Sequence, residues 1–201
     1  MRRHAAIPMS FLAFAALLQA ASLRDVKNNT LVSGADPAAS FAVEAPFAYA
    51  GGQTIDVLKV AEAEQHFFVD AAPDRSIRRF YWLQFEHYYP DNAHVYNYGK
   101  MKTTPISLGR LDFMGDVRVR TSYFTMDTRP GSDSVAAADF LRAKGFNLDG
   151  TFVTLRLFHL PDDTKRRELM IIYGEIVPPG ASEEQAAADV TAHARAHVGV
   201  R

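Results

Sequence analysis

The chain has 201 residues, 48% of them hydrophobic, and a mean hydropathy of −0.12. This suits one domain, or one domain with tails, that buries a real core. Lys and Arg number 22 against 23 Asp and Glu, so the net charge of −1 gives nucleic-acid binding no electrostatic support. The absence of cysteine excludes disulfides, thiol catalysis and cysteine metal ligands.

Residues 1–22 have the three parts of a secretory signal peptide. Residues 1–4 are basic, residues 7–18 form an apolar run, and residues 20–22 supply the small side chains that precede a cleavage site. The apolar run is shorter than the roughly 20 residues that a membrane span needs. We therefore expect an exported protein, secreted or periplasmic, with no membrane span in the mature chain.

The rest of the chain divides into three parts. Residues 23–53 lack a clear period and are rich in Ala, Gly, Ser and Pro, which predicts a partly irregular N-terminal arm with one short strand at residues 41–45. Residues 54–178 carry the patterns of a single α+β domain. Residues 179–201 follow as a C-terminal helix and tail.

The first part of the domain gives mixed signals. Residues 54–60 alternate as a strand does, residues 61–65 favour a helical turn, and residues 66–70 again favour a strand. The prediction is strand, short helix, strand.

The most aromatic stretch, residues 76–99, predicts an antiparallel hairpin. Two β-forming runs, residues 79–89 and 94–98, flank a turn sequence at residues 90–92. Alternation in the first run predicts two faces. One face holds Arg79, Tyr81, Leu83, Phe85 and His87, and the other holds Phe80, Trp82, Gln84, Glu86 and Tyr88.

The second half of the domain gives clearer signals. Residues 111–120 alternate as a half-buried strand, and residues 133–144 predict a helix that Gly145 ends. Residues 151–160 and 168–177 are strong β runs on either side of a turn, which predicts a second hairpin.

Together these patterns predict an α+β fold. A curved antiparallel sheet of about six to seven strands, shaped as a cup or partial barrel, would carry one packed helix at residues 133–144. The run at residues 169–172 is apolar on both faces, which indicates a central strand that this helix covers on one side. A capping box at Ser182 and Gln185 begins a C-terminal helix at residues 183–198.

No catalytic, nucleotide-binding or metalloprotease motif is present, and we predict no cofactor. One candidate site is an acid/base set. Glu86 lies among aromatic residues, where burial raises the pKa of a carboxyl group and suits it to act as a general acid. His87 or His94 would serve as its partner, with Asp112 as a further carboxylate; the alternative is that Glu86 and His87 lie at a solvated strand end.

A second candidate is a binding site made by aromatic side chains. Such rings can stack on a flat ligand while their polar atoms donate hydrogen bonds. The walls would come from residues 79–98 and 111–120; the alternative is that the rings form the core. The ligand-binding candidates are Tyr81, Trp82, Phe85, Tyr88, Tyr96 and Tyr98.

Metal binding has weaker support. The sets His87, Asp91, His94 and Asp189, His193, His197 have the residue types of a site but no specific motif, so no metal site is predicted.

These observations favour an exported domain that binds a small, partly apolar or aromatic molecule in an aromatic-lined cup. One alternative is an acid/base enzyme of hydrolase or lyase type that uses the Glu86 set. Another is a structural or partner-binding envelope protein, which would use the N-terminal arm and the last helix as contacts.

Overall fold

The fold is α+β, as predicted. The computed structural model describes residues 23–121, 124 and 128–201, so the predicted signal peptide lies outside it. The described residues form two antiparallel sheets and two helices. In chain order the elements are β1 (Arg24–Lys27), β2 (Thr30–Ser33), β3 (Ala39–Val43), β4 (Ala48–Val57), β5 (Ala61–Ala71), β6 (Ile77–Tyr88), β7 (Thr104–Leu108), β8 (Leu111–Thr121), α1 (Asp133–Ala143), β9 (Thr151–His159), β10 (Arg167–Ile176), α2 (Glu183–Ala196) and β11 (Val198–Val200).

The larger sheet has seven strands in the order β4-β5-β6-β10-β9-β8-β7, and it remains open, with β4 and β7 as its edges. The predicted hairpin of β9 and β10 is confirmed, with Ile171 opposite Leu157. The prediction of a central, doubly covered strand at residues 169–172 is also confirmed. Leu169 and Ile171 lie in one core, and Met170 lies in the core on the other face.

The predicted hairpin over residues 79–98 is wrong. Strand β6 pairs instead with β5 on one side and β10 on the other. Residues 89–103, all of which the structure describes, contain no strand; we call them the cover loop. The reason is that β5 and β10 are long apolar strands that pair with both edges of β6. The second aromatic run therefore packs on a face of the sheet and does not pair with β6 as a strand.

Two further predictions need correction. Residues 24–43 form three short strands rather than a partly irregular arm, and they build a four-stranded sheet in the order β1-β2-β3-β11. Strands of four or five residues are too short to show a period, although Leu31 and Phe41 are fully buried. The helical turn expected at residues 61–65 is the start of β5, because pairing along β4 and β6 overrides local helix propensity.

The large sheet is covered on both faces. On its inner face, the small sheet and α2 enclose a core that includes Phe41, Tyr81 and Val190. On its outer face, α1 and the cover loop enclose a second core that includes Trp82 and Leu141. Within the described ranges, neither helix has the length and apolar character needed to cross a membrane.

The helix predicted at residues 133–144 is confirmed as α1, one residue shorter. The hydroxyl of Ser132 accepts a hydrogen bond from the backbone N–H of Val135 at 3.3 Å, which caps its first turn. Gly145 follows with a φ of +82°, and the N–H of Phe146 reaches back to the carbonyl of Leu141 at 3.1 Å. The last helix ends at Ala196, two residues earlier than predicted, because β11 then pairs with β3.

Candidate functional site

The structure brings several predicted site residues together beneath the cover loop. Glu86 on β6 lies directly opposite Glu168 on β10, so both side chains point to the outer face of the sheet. The hydroxyl of Tyr96 donates to Glu86 at 2.7 Å, and the hydroxyl of Tyr98 donates to Glu168. The ring of Tyr96 stacks on Tyr88 with centroids 4.5 Å apart. Sequence analysis thus identified one carboxyl group and three tyrosines of this cluster.

Both carboxyl groups of the pair hold their protons more tightly than usual. Glu168 is only 4% exposed, and burial raises its pKa to about 8, with the charges of Glu86 and Asp133 adding to the rise. Burial also raises the pKa of Glu86, while the hydrogen bond from Tyr96 opposes the change. At neutral pH, Glu168 is therefore largely a neutral acid.

A row of amides connects this pair to the sheet edge and to α1. Gln53 donates to Gln65 at 2.8 Å, Gln65 donates to Gln84 at 2.8 Å, and Gln84 donates to Glu86 at 2.6 Å. Gln65 also donates to the carbonyl of Asp133 at 3.2 Å. These contacts satisfy polar groups that would otherwise be buried without partners, so the row is structural.

Three of the predicted ligand-binding residues belong to the core instead. Tyr81, Trp82 and Phe85 are 0%, 1% and 4% exposed. The cause is that β6 is a central strand covered on both faces, which the hairpin prediction did not include. Their rings hold the layers together and offer almost no surface to a ligand.

The remaining members of the predicted acid/base set do not join Glu86. His87 is exposed and follows Glu86 on the strand, so it points to the opposite face. The ring of His94 lies 5.9 Å from that of Tyr88. Asp112 on β8 is three strands away from β6, roughly 14 Å at the usual strand spacing, and accepts a hydrogen bond from Ser107.

Another cavity lies elsewhere, between α2 and the ends of β5, β6 and β10. This α2 cleft has a volume of about 690 Å³, within the range of small-ligand sites. Its apolar wall includes Ile176, Pro178, Ala181, Ala186 and Ala196.

A group of charged side chains lies at the strand end of the α2 cleft. Asp70 is 3% exposed and accepts two hydrogen bonds from Arg79, at 2.9 and 2.7 Å, and one from Arg78. Two guanidinium groups thus share one carboxylate, and Arg79 also lies opposite Glu175 on β10. The side chain of Arg78 is 53% exposed and uses one nitrogen for Asp70, so its guanidinium faces solvent at the cleft.

The cleft also contains acidic side chains: Glu175 lies on β10 directly opposite Arg79, and Asp189 lies on α2. Glu175 accepts a hydrogen bond from Tyr173 at 2.6 Å and contacts His193 at 2.9 Å. These two carboxylates disfavour a ligand with a second anionic group.

Sequence analysis missed Glu168 and the α2 cleft. Arg78 and Arg79 are neighbours in the sequence, but Asp70 and α2 meet them only through the tertiary fold. Neither histidine set considered for metal forms a site: among the residues that the structure describes, no group of three His, Cys, Asp or Glu side chains is placed to hold a metal ion.

Fold and cleft together define an α+β protein of two packed antiparallel sheets, with a ligand-sized cleft under its last helix. No family model, curated protein or solved structure matches the chain.

Proposed function

We propose that the protein binds a small, partly apolar carboxylate in the α2 cleft. The observation that carries the proposal is the exposed guanidinium of Arg78, which shares the buried carboxylate of Asp70 with Arg79 beside an apolar wall. A guanidinium binds a carboxylate through charge-assisted hydrogen bonds, and the wall would shelter the apolar part of the ligand. This keeps the class of ligand expected from the sequence but moves its site away from the aromatic strand.

The charges of the cleft support a ligand with one negative charge. Arg78 offers a partner for one carboxylate, whereas Glu175 and Asp189 would repel a second one. Export of the protein stays part of the proposal and is supported by the basic and apolar segments of residues 1–22.

The test compares two probes that share a phenyl ring and differ in charge, 3-phenylpropionate and phenethylamine. Isothermal titration should show saturable binding of the carboxylate and much weaker binding of the amine. Arg78→Ala should weaken binding of the carboxylate by about tenfold or more, since a hydrogen bond to a charged group contributes about 1.5–3 kcal/mol.

A matched pair of variants on α2 tests the location. Gln185 is exposed and lines the cleft, whereas its neighbour Glu184 is exposed and does not. Gln185→Trp should fill the cleft and abolish binding, and Glu184→Trp should leave binding unchanged. Equal binding in both variants, or no saturable binding of either probe, would contradict the proposal.

A further inference from the structure

A second cavity, independent of the α2 cleft, contains a chain of three hydrogen-bonded side chains. It lies between β1, β4 and β5, has a volume of about 440 Å³ and shares no lining residue with the α2 cleft. The hydroxyl of Tyr49 lies 3.0 Å from Nδ1 of His66, and Nε2 of His66 lies 2.9 Å from a carboxylate oxygen of Glu64. The other oxygen of Glu64 accepts a hydrogen bond from Arg24 at 2.9 Å. All four side chains belong to residues that line the cavity.

The backbone explains why these groups meet. Glu64 and His66 are two residues apart on β5, so they share its inner face. Tyr49 reaches them from β4 across a register shift between Tyr49 and Gly51. Gly52 stands opposite His66, where a Cβ atom would lie 2.8 Å from Nδ1 and 2.9 Å from the tyrosine oxygen. A glycine at this position therefore leaves the space in which Tyr49 and His66 form their hydrogen bond.

The charges of the neighbouring groups indicate which atoms carry the protons in this row of hydrogen bonds. Burial alone would raise the pKa of Glu64, but hydrogen bonds from His66 and Arg24 outweigh it and hold the pKa below its usual value. An ionised Glu64 accepts Nε2–H, which leaves the lone pair of Nδ1 free to accept the hydroxyl of Tyr49. Burial and the negative charges of Glu64 and Asp25 raise the pKa of Tyr49, so its hydroxyl keeps its proton until a base removes it.

We propose that Tyr49 is the nucleophile of an acyl-transfer site for small esters, with His66 as its general base and Glu64 as the positioning residue. The arrangement has the parts that activate a hydroxyl: a nucleophile within reach of a base, and a carboxylate that orients the base. The tyrosine oxygen bonds to the ester carbonyl carbon while its proton passes to Nδ1. The bond to the alcohol oxygen then breaks, and the departing alkoxide takes that proton from the imidazolium. Water next bonds to the carbonyl carbon of the acyl-tyrosine and gives a proton to Nδ1; the bond to the tyrosine oxygen breaks, and this oxygen takes the proton back as the free acid leaves.

A stable adduct tests the nucleophile without an identified substrate. With phenylmethanesulfonyl fluoride, the tyrosine oxygen bonds to sulfur, fluoride leaves, and the proton passes to His66. The full-length protein is labelled and then digested, and mass spectrometry of the peptides measures the rate of labelling at each tyrosine. Tyr89 is an internal comparison in the same sample, since it is half-exposed and its hydroxyl interacts with Asp56 rather than a histidine.

Tyr49 should be labelled faster than Tyr89 in the wild type. His66→Gln should slow labelling of Tyr49 by about 100-fold or more, the usual contribution of a general base, and leave Tyr89 unchanged. Glu64→Gln should slow labelling of Tyr49, and Glu64→Asp, which keeps a carboxylate beside His66, should restore part of the rate. A purely structural role of Glu64 would not produce this difference.

The fluorescence of Trp82, the single tryptophan, shows whether each variant is folded. Glu64→Gln keeps the shape of a side chain that is 24% exposed, so it decides the test if His66→Gln does not fold. Matching hydrolysis of p-nitrophenyl acetate by wild type and Tyr49→Phe, or labelling of Tyr49 no faster than of Tyr89, would overturn the proposal. A rate of labelling of Tyr49 that neither folded variant changes would also overturn it.

Discussion

Glu86 and Glu168 face each other directly across β6 and β10, and each accepts a hydrogen bond from a tyrosine of the cover loop. Like charges opposite each other in a sheet repel, and burial removes the water that would screen them. The folded state is therefore most stable when at least one of these two carboxyl groups is protonated.

The first prediction concerns stability against pH. In the folded protein the pKa of Glu168 is about 8, against an ordinary value of 4.5. Between these values Glu168 binds more protons in the folded than in the unfolded state, so its contribution to stability is full below about pH 4.5 and is lost as pH rises to about 8. One such group contributes a slope of up to about 1.4 kcal/mol per pH unit. Urea unfolding at a series of pH values, followed by the fluorescence of Trp82, measures it.

The matching variant is Glu168→Gln, which keeps the shape of the side chain and removes its titration. We expect the unfolding free energy of the variant to increase relative to that of the wild type as pH rises from 5 to 8. A difference that stays constant over this range would contradict the raised pKa.

The second prediction concerns the tyrosine that covers Glu168. Tyr98→Phe removes the hydroxyl that donates to this carboxyl group, and the ring should keep its stacking on Phe158, 4.4 Å away between centroids. Losing a hydrogen bond to a buried acid should cost about 1–3 kcal/mol, and more above pH 8, where the acid is ionised. The control is Tyr89→Phe, because the hydroxyl of Tyr89 interacts with Asp56 rather than with Glu86 or Glu168. A similar loss of unfolding free energy in both variants would contradict the role of Tyr98.

The sequence predicted those parts of the fold that depend on neighbouring residues. Helix α1 has its cap at Ser132 and its stop at Gly145, and β9 and β10 join across a short turn, so local patterns were sufficient. The cover loop was not predictable in this way. Its aromatic run has strand propensity, but whether it pairs with β6 depends on competition with β5 and β10, which lie elsewhere in the chain.

The same limit applies to the candidate sites. Glu86 was a candidate site residue because it lies in an aromatic run. Its partner Glu168 comes more than 80 residues later and meets it only through the register of β6 and β10. Asp70 reaches Arg79 by the pairing of β5 with β6, which a helical assignment of residues 61–65 obscured. Tyr49 and His66 meet across a bulge, which breaks the alternation that sequence analysis uses.

The third prediction compares two strand glycines. A Cβ atom at Gly174 would lie 2.3 Å from the ring of Phe80, whereas one at Gly199 would have nothing within 4 Å. Gly174→Ala must therefore displace a fully buried ring, and we expect a loss of about 1–3 kcal/mol or more in unfolding free energy. Gly199→Ala should change stability by less than about 0.5 kcal/mol. Thermal unfolding of the two variants checks this, and equal midpoints would contradict the packing at Phe80.

The last prediction compares a buried ion pair with an exposed one. Asp70 is 3% exposed and holds Arg79, whose side chain is 29% exposed, so Asp70→Asn leaves a half-buried guanidinium without its charge partner. Breaking a buried pair in this way usually costs about 3–5 kcal/mol, and we expect the lower part of this range because Arg79 keeps some contact with water. Asp139→Asn breaks a surface pair with Arg142, where the side chains are 71% and 51% exposed, and should change stability by less than about 0.5 kcal/mol. Urea unfolding measures both, and an Asp70→Asn variant as stable as the Asp139→Asn variant would show that Asp70 does not anchor the arginines of the α2 cleft.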